Sequence, residues 1–174
     1  MGSSQIGPYK TADQDPAILL GTVMMFEQAT KSTIIEAPPQ RCFEVVCDYE
    51  SYPEWAPEVK QVEVLRRDTD GRAGLVSFQA AAMGRSTTYL LEYFYGTNPL
   101  RVSWRLVKGD LTKRLDGEYS FHSIQDAPDR TEVTYHLAVQ MAMPLPGFVK
   151  RRAEARIMST ALEVLRSRVE ADVH

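Results

Sequence analysis

The sequence has few of the residues that mark metal, cofactor and disulfide chemistry. Its 174 residues include two cysteines and three histidines. Cys42 and Cys47 fall in one predicted helix, where their spacing puts them roughly 140° apart around the axis, so they cannot easily pair. No cluster has metal-ligand spacing, and no glycine-rich phosphate loop is present. We therefore expect no disulfide, no metal and no cofactor, and a reducing, cytoplasmic location.

An excess of positive charge and a long apolar run are also lacking. Lysine and arginine number 20 against 23 acidic residues, a net charge of -3, which argues against a nucleic-acid partner. The apolar runs at 18–20 and 23–26 are far short of the roughly 20 residues of a membrane span, and no cleavage site follows them. We read residues 1–28 as an N-terminal tail, disordered or laid on the surface, and 29–172 as one domain.

The first part of the domain predicts one strand and two helices. Residues 30–37 alternate in polarity, and Pro38 and Pro39 end that strand and open a helix. The helix has inward-facing residues at i, i+3 and i+4 spacing, namely Phe43, Val46 and Cys47. The segment 49–57 is rich in proline and bulky aromatics, which predicts a short, tightly packed second helix or turn.

From 59 to 141 the apolar period is two. This pattern predicts six antiparallel strands with one apolar and one wet face, joined by short turns, of which 68–71 is the clearest. The inward rows are Val62, Val64, Val76, Phe78, Ala80, Ala82, Tyr89, Leu91, Tyr93, Tyr95, Val102, Trp104, Leu106, Leu115, Gly117, Tyr119, Phe121, Val133, Tyr135, Leu137, Val139 and Met141. An apolar face of this size must be covered.

A helix that covers this face is predicted at 148–171, a segment with no proline or glycine. Apolar residues recur there every four positions, with two more filling the stripe: Val149, Ala153, Ile157, Ala161, Leu165, Val169, Met158 and Leu162. The helix would be on the order of 35 Å long, enough to cross the sheet. The order of elements predicts an α+β fold in which a curved antiparallel sheet wraps around a long C-terminal helix.

Three local motifs accompany this order. The first is Ile-Ile-Glu-Ala-Pro-Pro at 34–39, the second combines Asp48-Tyr49 with Tyr-Pro-Glu-Trp at 52–55, and the third comprises 102–104, 115–119 and 131–135. With them the chain resembles the START-like (SRPBCC) superfamily, in particular its polyketide cyclase/dehydrase and coenzyme-Q-binding group, over about 30–169. The resemblance implies a helix-grip fold around a deep apolar pocket. It implies no single activity, because members include lipid carriers, aromatic cyclases and hydrolases.

The candidate ligand-binding site is the inner face of the sheet with the facing side of the helix. We expect it to be lined by Trp55, Phe78, Ala80, Ala82, Tyr93, Trp104, Tyr119, Tyr135, Met141, Met158 and Leu162. The small side chains at 80–82 leave volume that neighbours or a ligand must fill. Buried tyrosine and tryptophan bring polar atoms that need partners, as in small-molecule sites. The alternative is that these residues only fill a core, and that Tyr52 and Trp55 only anchor the short helix.

No catalytic residue is predicted. By alternation His122 and His136 point away from the site, and His174 is the C-terminal residue. The same argument places four charged residues on the wet face: Glu92, Arg105, Arg114 and Asp116. The inward tyrosines remain possible proton donors, although tyrosine, with a pKa of about 10, is a poor base.

Three functions are compatible with these observations. The first is a non-catalytic binding or carrier protein for an apolar small molecule such as a lipid, quinone or polyketide, acting as a monomer or homodimer. The second is an aromatic cyclase/dehydratase. The third is an interaction module whose basic residues dock on a membrane or macromolecule. Those residues are Lys150, Arg151, Arg152 and Arg156, for which a solvated helix face is the simpler interpretation.

Overall fold

The computed structural model describes residues 27–82, 84–143 and 146–171. The first strand, β1 (Glu27–Ile35), begins inside the predicted tail, so Glu27 and Gln28 belong to the sheet. The rest of that tail lies outside the described residues. Among the helices of the described chain, none is long and apolar enough to cross a membrane.

The order of elements is the predicted one. After β1 come α1 (Pro39–Cys47), a 3-10 turn (Tyr49–Ser51) and the short α2 (Tyr52–Trp55). Six strands follow: β2 (Val59–Arg67), β3 (Ala73–Ala82), β4 (Arg85–Thr97), β5 (Leu100–Gly109), β6 (Thr112–Ile124) and β7 (Ala127–Met141). The described chain ends with the long helix α3 (Gly147–Ala171). The α+β, helix-grip prediction is confirmed.

The strands form one seven-stranded sheet in the order β1-β7-β6-β5-β4-β3-β2. Every neighbouring pair is antiparallel. The hairpin predicted at 68–71 joins β2 and β3, where Asp68 Oδ1 accepts the backbone N–H groups of Asp70 and Arg72 at 2.8 and 2.9 Å. Gly71 follows with φ of +80°, a conformation in which a side chain would be strained.

The helix α1 closes one end of the concave face. The Phe43 ring packs edge-on against Phe121 and Tyr95, with centroids 5.9 and 6.2 Å apart. Thr131 Oγ1 donates to the Ala37 carbonyl at 2.6 Å, which ties the start of α1 to β7. Other fully or nearly fully buried residues here are Ile35, Cys42, Val46, Tyr49, Val133, Leu165 and Val169. This end is therefore a solid hydrophobic core.

The face predicted for α3 is confirmed in part. Met158, Leu162, Leu165 and Val169 are buried as predicted, and Glu154 is buried with them, whereas Ala153 and Ile157 are exposed. Four residues turn about 400°, so a strict four-residue row drifts about 40° per step and cannot stay on one face.

The backbone of the helix comes nearest to the sheet at β1 and β7, and it also reaches α1 and α2. Its side chains Met158 and Leu162 belong to the same buried hydrophobic cluster as Tyr93, Trp104 and Tyr135 of the concave face.

Candidate functional site

Aromatic rings line the middle of the concave face. We call six of them the aromatic row: Phe78, Tyr89, Tyr93, Trp104, Tyr119 and Tyr135. Cross-strand pairing places them side by side, because Phe78 is opposite Tyr89, Tyr93 opposite Trp104, and Tyr119 opposite Tyr135. Ring centroids are 5.3 Å apart for the first pair, 6.0 Å for the second and 4.5 Å for the third.

Gly117 makes room for the ring at the centre of the row. It is opposite Trp104 across β5 and β6, and a Cβ at this position would lie 2.3 Å from Trp104 Cζ2. With no side chain there, the indole lies over β6 and approaches Tyr119 and Tyr135 to 5.6 and 6.0 Å. Because Gly117 has no side chain, the Trp104 ring contacts Tyr93 on one side and the Tyr119–Tyr135 pair on the other, so the two halves of the row are continuous.

The hydroxyl groups of the concave face fall into two sets. Three are bonded within the fold. Tyr52 donates to the Val46 carbonyl, Tyr95 donates to the Ala73 carbonyl at 2.7 Å, and the Tyr49 and Tyr95 hydroxyls are 3.0 Å apart. These tyrosines belong to the closed end, where their hydrogen bonds join α1, α2 and the sheet.

The second set has no such partner. Within the described residues, no group hydrogen-bonds the hydroxyls of Tyr89, Tyr93, Tyr119 or Tyr135. Buried tyrosine hydroxyls usually find a partner, and Tyr93 and Tyr135 are only 9% and 7% exposed. These four groups, three of which surround Trp104, can therefore bond to something that is not part of the described chain.

Burial keeps the phenols of the row protonated. Desolvation raises the pKa of Tyr89 to about 12 and that of Tyr93 and Tyr135 well above the ordinary value. It also raises the pKa of Tyr119, and a charge on Tyr119 would raise the pKa of Tyr93 and Tyr135 further. At neutral pH these side chains are hydrogen-bond donors and not bases.

The concave face is less tightly packed than the closed end. Tyr119, on the row itself, is partly exposed, as are the neighbouring inward residues Leu106, Leu115 and Met141. They lie on β5, β6 and the end of β7, away from the main contacts of α3 with β1 and the sheet edge. Apolar surface on an inward face is thus left uncovered by the described chain.

The predicted site residues do not all lie together. Most are on the concave face or on α3 facing it: Phe78, Ala80, Tyr93, Trp104, Tyr119, Tyr135, Met141, Met158 and Leu162. The side chains of Ala82 and Lys150 lie outside the described part. Tyr89 belongs to the row but was absent from the predicted site, although the same alternation placed it inward.

Trp55 lies at the margin of the site. Its ring packs on Tyr52 at 4.8 Å, and Tyr52 in turn packs on Phe78 of the row at 6.1 Å. Trp55 also borders a groove of about 180 Å³ between the helices. The groove is lined mostly by charged residues, namely Arg41, Glu44, Asp48 and Arg168, with Val45.

The outer face of the sheet carries the charged groups, as alternation predicted. Glu92 pairs with Arg66 at 3.2 Å and with Arg105, and Arg114 pairs with Asp116 at 2.7 Å. His122 is exposed, and His136 Nδ1 lies 2.7 Å from Thr30 Oγ1. A depression of about 270 Å³ on this face is lined mainly by polar residues: Gln28, Ser103, Arg114, Asp116, Glu118 and His136, with Trp104, Gly117 and Ala138.

Neither thiol chemistry nor metal binding has a place in the described chain. Cys42 and Cys47 are both free, and burial raises the pKa of Cys47 to about 12, which disfavours the reactive thiolate. No group of three or more acidic, histidine or cysteine side chains in residues 27–82, 84–143 and 146–171 could hold a metal ion.

Solved structures show the same class of fold. A START superfamily protein from Mycobacterium smegmatis is 25% identical, with a TM-score of 0.77 over 83% of this chain and 97% of that one. A protein from Thermus thermophilus is 24% identical, with a TM-score of 0.70 over 85% and 100%. The Zhui aromatase/cyclase from a Streptomyces species is 17% identical, with a TM-score of 0.73 over 86% and 96%. The chain is thus a START-like, helix-grip protein.

The family can be stated more narrowly. The model of the family described as polyketide cyclase / dehydrase and lipid transport matches residues 35–166, most of the described domain. The chain belongs to this family, and the predicted resemblance is confirmed. No curated protein matches the sequence.

Substituting Gly117 with alanine tests whether the Trp104 indole packs directly against the backbone of β6. We expect Gly117→Ala to lower the free energy of unfolding by about 1–3 kcal/mol, because the new methyl group overlaps a buried ring. Gly147→Ala is the matched control, since its Cβ would meet only Arg151 Nη1 at 3.6 Å. Urea denaturation measures both, and equal stability of the two variants would contradict the assigned packing.

Two tyrosine substitutions test whether the bonded and the unbonded hydroxyls of the concave face differ in their contribution to stability. Tyr52→Phe should lower the free energy of unfolding by about 1 kcal/mol or more, because it leaves the Val46 carbonyl without its donor. Tyr119→Phe removes no bond within the described chain and should change it by less than about 0.5 kcal/mol. Urea denaturation at neutral pH gives both values. A larger loss for Tyr119→Phe would show that its hydroxyl has a structural role.

The pH dependence of stability tests the raised pKa values. A tyrosine whose folded pKa exceeds its unfolded value of about 10 stabilises the fold fully below pH 10 and progressively less as the pH rises beyond it. We expect the free energy of unfolding to fall between pH 9.5 and pH 11.5, roughly the region around that unfolded value. The Tyr119→Phe/Tyr135→Phe variant should show a shallower fall. Parallel curves would mean that these phenols ionise in the folded protein.

Proposed function

We propose that this protein binds and carries a neutral, largely apolar molecule with oxygen acceptors, such as a quinone or an aromatic polyketide, against the aromatic row. The observation that carries the proposal is the set of three protonated phenols, on Tyr93, Tyr119 and Tyr135, that lack partners in the described chain. They surround Trp104 on a concave face with uncovered apolar surface.

The chemistry of the row favours a planar body. Its rings offer faces and edges for offset stacking, worth roughly 0.5–1.5 kcal/mol per pair beyond the burial of area. A carbonyl or ether oxygen within reach of a phenol would add a hydrogen bond of about 1 kcal/mol. An alkyl chain alone would bury area but leave the hydroxyls without acceptors, which costs binding energy.

The charge of the surroundings disfavours an anionic ligand. The row contains no cation to pair with a carboxylate, and burying an unpaired charge is costly. Glu154 is buried on the inner face of α3, one turn before Met158, and adds a carboxyl group to that side. A fatty-acid headgroup would therefore fit poorly. The free cysteines fit a reducing, cytoplasmic setting.

A cyclase/dehydratase function is the second candidate. Protonated phenols could donate to a carbonyl oxygen, and a 17% identical aromatase/cyclase shares the fold. The row supplies donors but no base, however, because its phenols hold their protons at neutral pH. Binding without turnover is the simpler use of such a surface.

Fluorescence titration with a short-chain ubiquinone tests the proposal. The chain has two tryptophans, of which Trp104 lies in the row and Trp55 at its margin, so a bound quinone should quench the emission saturably. Tyr119→Phe/Tyr135→Phe should weaken binding by on the order of 10-fold, through the loss of two hydrogen bonds. Tyr95→Phe makes the same chemical change at a hydroxyl already bonded to Ala73, and should bind as the wild type does.

Two outcomes would contradict the proposal. One is equal quinone affinity of the double variant and the Tyr95→Phe control. The other is palmitate binding as tightly as the quinone, which would show that the hydroxyls do not select the ligand. Native mass spectrometry of protein from its own host, followed by organic extraction, identifies the class of any retained molecule. Turnover of an aromatic polyketide that is lost on Tyr→Phe substitution would favour the cyclase.

A further inference from the structure

The end of the sheet opposite to the start of α1 consists of turns. The pairings Ala82 with Arg85, Tyr89 with Gly109 and Thr112 with Met141 place the β3–β4 turn, the β5–β6 turn and the last residue of β7 at this same end of the strands. The chain enters α3 from this end. We call these turns, residues 141–143 and the first three turns of α3 the open end, in contrast to the end that α1 closes.

Large apolar side chains are exposed at the open end. Met143 is 39% exposed, Phe148 64% and Ile157 47%. Only six large hydrophobic residues of the described chain are this exposed, and the other three lie on β2, β4 and β5: Leu65, Phe94 and Val107. Half of the set therefore falls within 15 residues. Phe148 and Ile157 are nine residues apart, which puts them about 180° apart around α3. Ile157 is thus on the far side of the helix, and Met143 and Phe148 are the exposed apolar residues of this end.

Arginines accompany these apolar residues. Arg151, Arg152 and Arg156 are exposed, and none of them makes an ion pair or hydrogen bond with the part of the chain that the structure describes. Elsewhere arginines pair with carboxylates, as Arg105 does with Glu92 and Arg130 with Glu36. The protein has a net charge of -3, so an unpaired basic cluster is a local segregation of charge.

The neighbouring turns carry one charge of each sign. Arg85 at the start of β4 is exposed and adds a positive charge at the same end of the sheet. Asp110 in the β5–β6 turn accepts hydrogen bonds from Thr87 Oγ1 and from the Thr88 backbone N–H at 3.0 Å, which lower its pKa and keep it negatively charged. These two charges offset each other, and the three exposed arginines in the first three turns of α3, with Glu154 as the acid between them, keep an excess of positive charge.

We propose that the open end docks on the surface of an anionic lipid bilayer. Met143 and Phe148 would enter the interfacial layer while Arg151, Arg152 and Arg156, which lie within about 80° of Phe148 around the helix axis, contact lipid phosphates. Interfacial segments use this combination. The docking surface does not depend on the proposed function. For a protein that carries an apolar ligand, docking would bring the open end of the sheet to the membrane, where apolar molecules reside.

A bilayer fits this surface better than a nucleic acid does. Phosphodiester backbones would satisfy the arginines but give no apolar environment to the Phe148 ring. Anionic lipid offers both phosphate groups and acyl chains at one surface.

Vesicle co-sedimentation with the full chain tests the docking. We expect binding to phosphatidylcholine vesicles that contain phosphatidylglycerol, weakening as salt is raised, and little binding to phosphatidylcholine alone. Arg151→Ala/Arg152→Ala/Arg156→Ala should reduce the affinity by on the order of 100-fold, from about 1 kcal/mol per arginine. Phe148→Ser should reduce it separately and leave the salt dependence in place.

The control variant is Arg166→Ala/Leu65→Ser. It removes an exposed arginine from the far half of the same helix and an exposed apolar side chain from β2 beside the 68–71 hairpin, both away from the open end, and should bind vesicles as the wild type does. Circular dichroism confirms that each variant is folded. Equal loss in the control, equal binding to neutral vesicles, or tighter binding to duplex DNA than to anionic vesicles would overturn the proposal.

Quinone titration of the same variants without vesicles separates the two proposals. Retained quinone affinity in variants that no longer bind vesicles supports a docking surface distinct from the ligand site. Vesicle binding by a wild-type protein that takes up no quinone would leave the docking intact and remove the carrier function. Quinone uptake with no preference for anionic vesicles would leave the carrier function intact and remove the docking.

Discussion

The domain depends on the way α3 is fixed along one edge of the sheet. Met158, Leu162, Leu165 and Val169 are buried against β1, β7 and the helices at the closed end, and each large apolar side chain contributes about 1.5–3 kcal/mol when fully buried. Met158 and Leu162 share one hydrophobic cluster with Tyr93, Trp104 and Tyr135 of the concave face, while Tyr119 on the same face stays partly exposed. The aromatic row therefore lies between the buried core and the partly exposed part of this face.

The two faces of the sheet divide the chemistry of the protein. Ion pairs such as Glu92 with Arg105 lie outside, where charges remain hydrated. The inner face has rings and phenols whose pKa values are raised by desolvation. Phenols that hold their protons at neutral pH donate hydrogen bonds to acceptor oxygens and are weak bases.

Most of this arrangement was predictable, since strand alternation is a local property. It placed Tyr93, Trp104 and Tyr119 inward and His136 outward, as observed. The exposure of Ala153 and Ile157 in the first half of α3 was not predictable from a four-residue repeat, because the drift of that repeat becomes large over the length of the helix. Nor could alternation distinguish the Tyr52 hydroxyl, which bonds to Val46, from that of Tyr119. Such partners are set by tertiary contacts, and the four-residue α2 is too short to show a period.

The pairing of β1 with β7 has a consequence for how the protein forms. Thr30 and His136 are 106 positions apart in the chain and yet make a side-chain contact across adjacent strands. During synthesis the first strand must therefore wait, unpaired, until nearly the whole domain has left the ribosome. Long-range pairing of this kind slows folding in small proteins. Because β1 pairs late, the hydrogen bonds that complete the sheet are among the last to form. A nascent chain with an unpaired strand edge is also a substrate for chaperones.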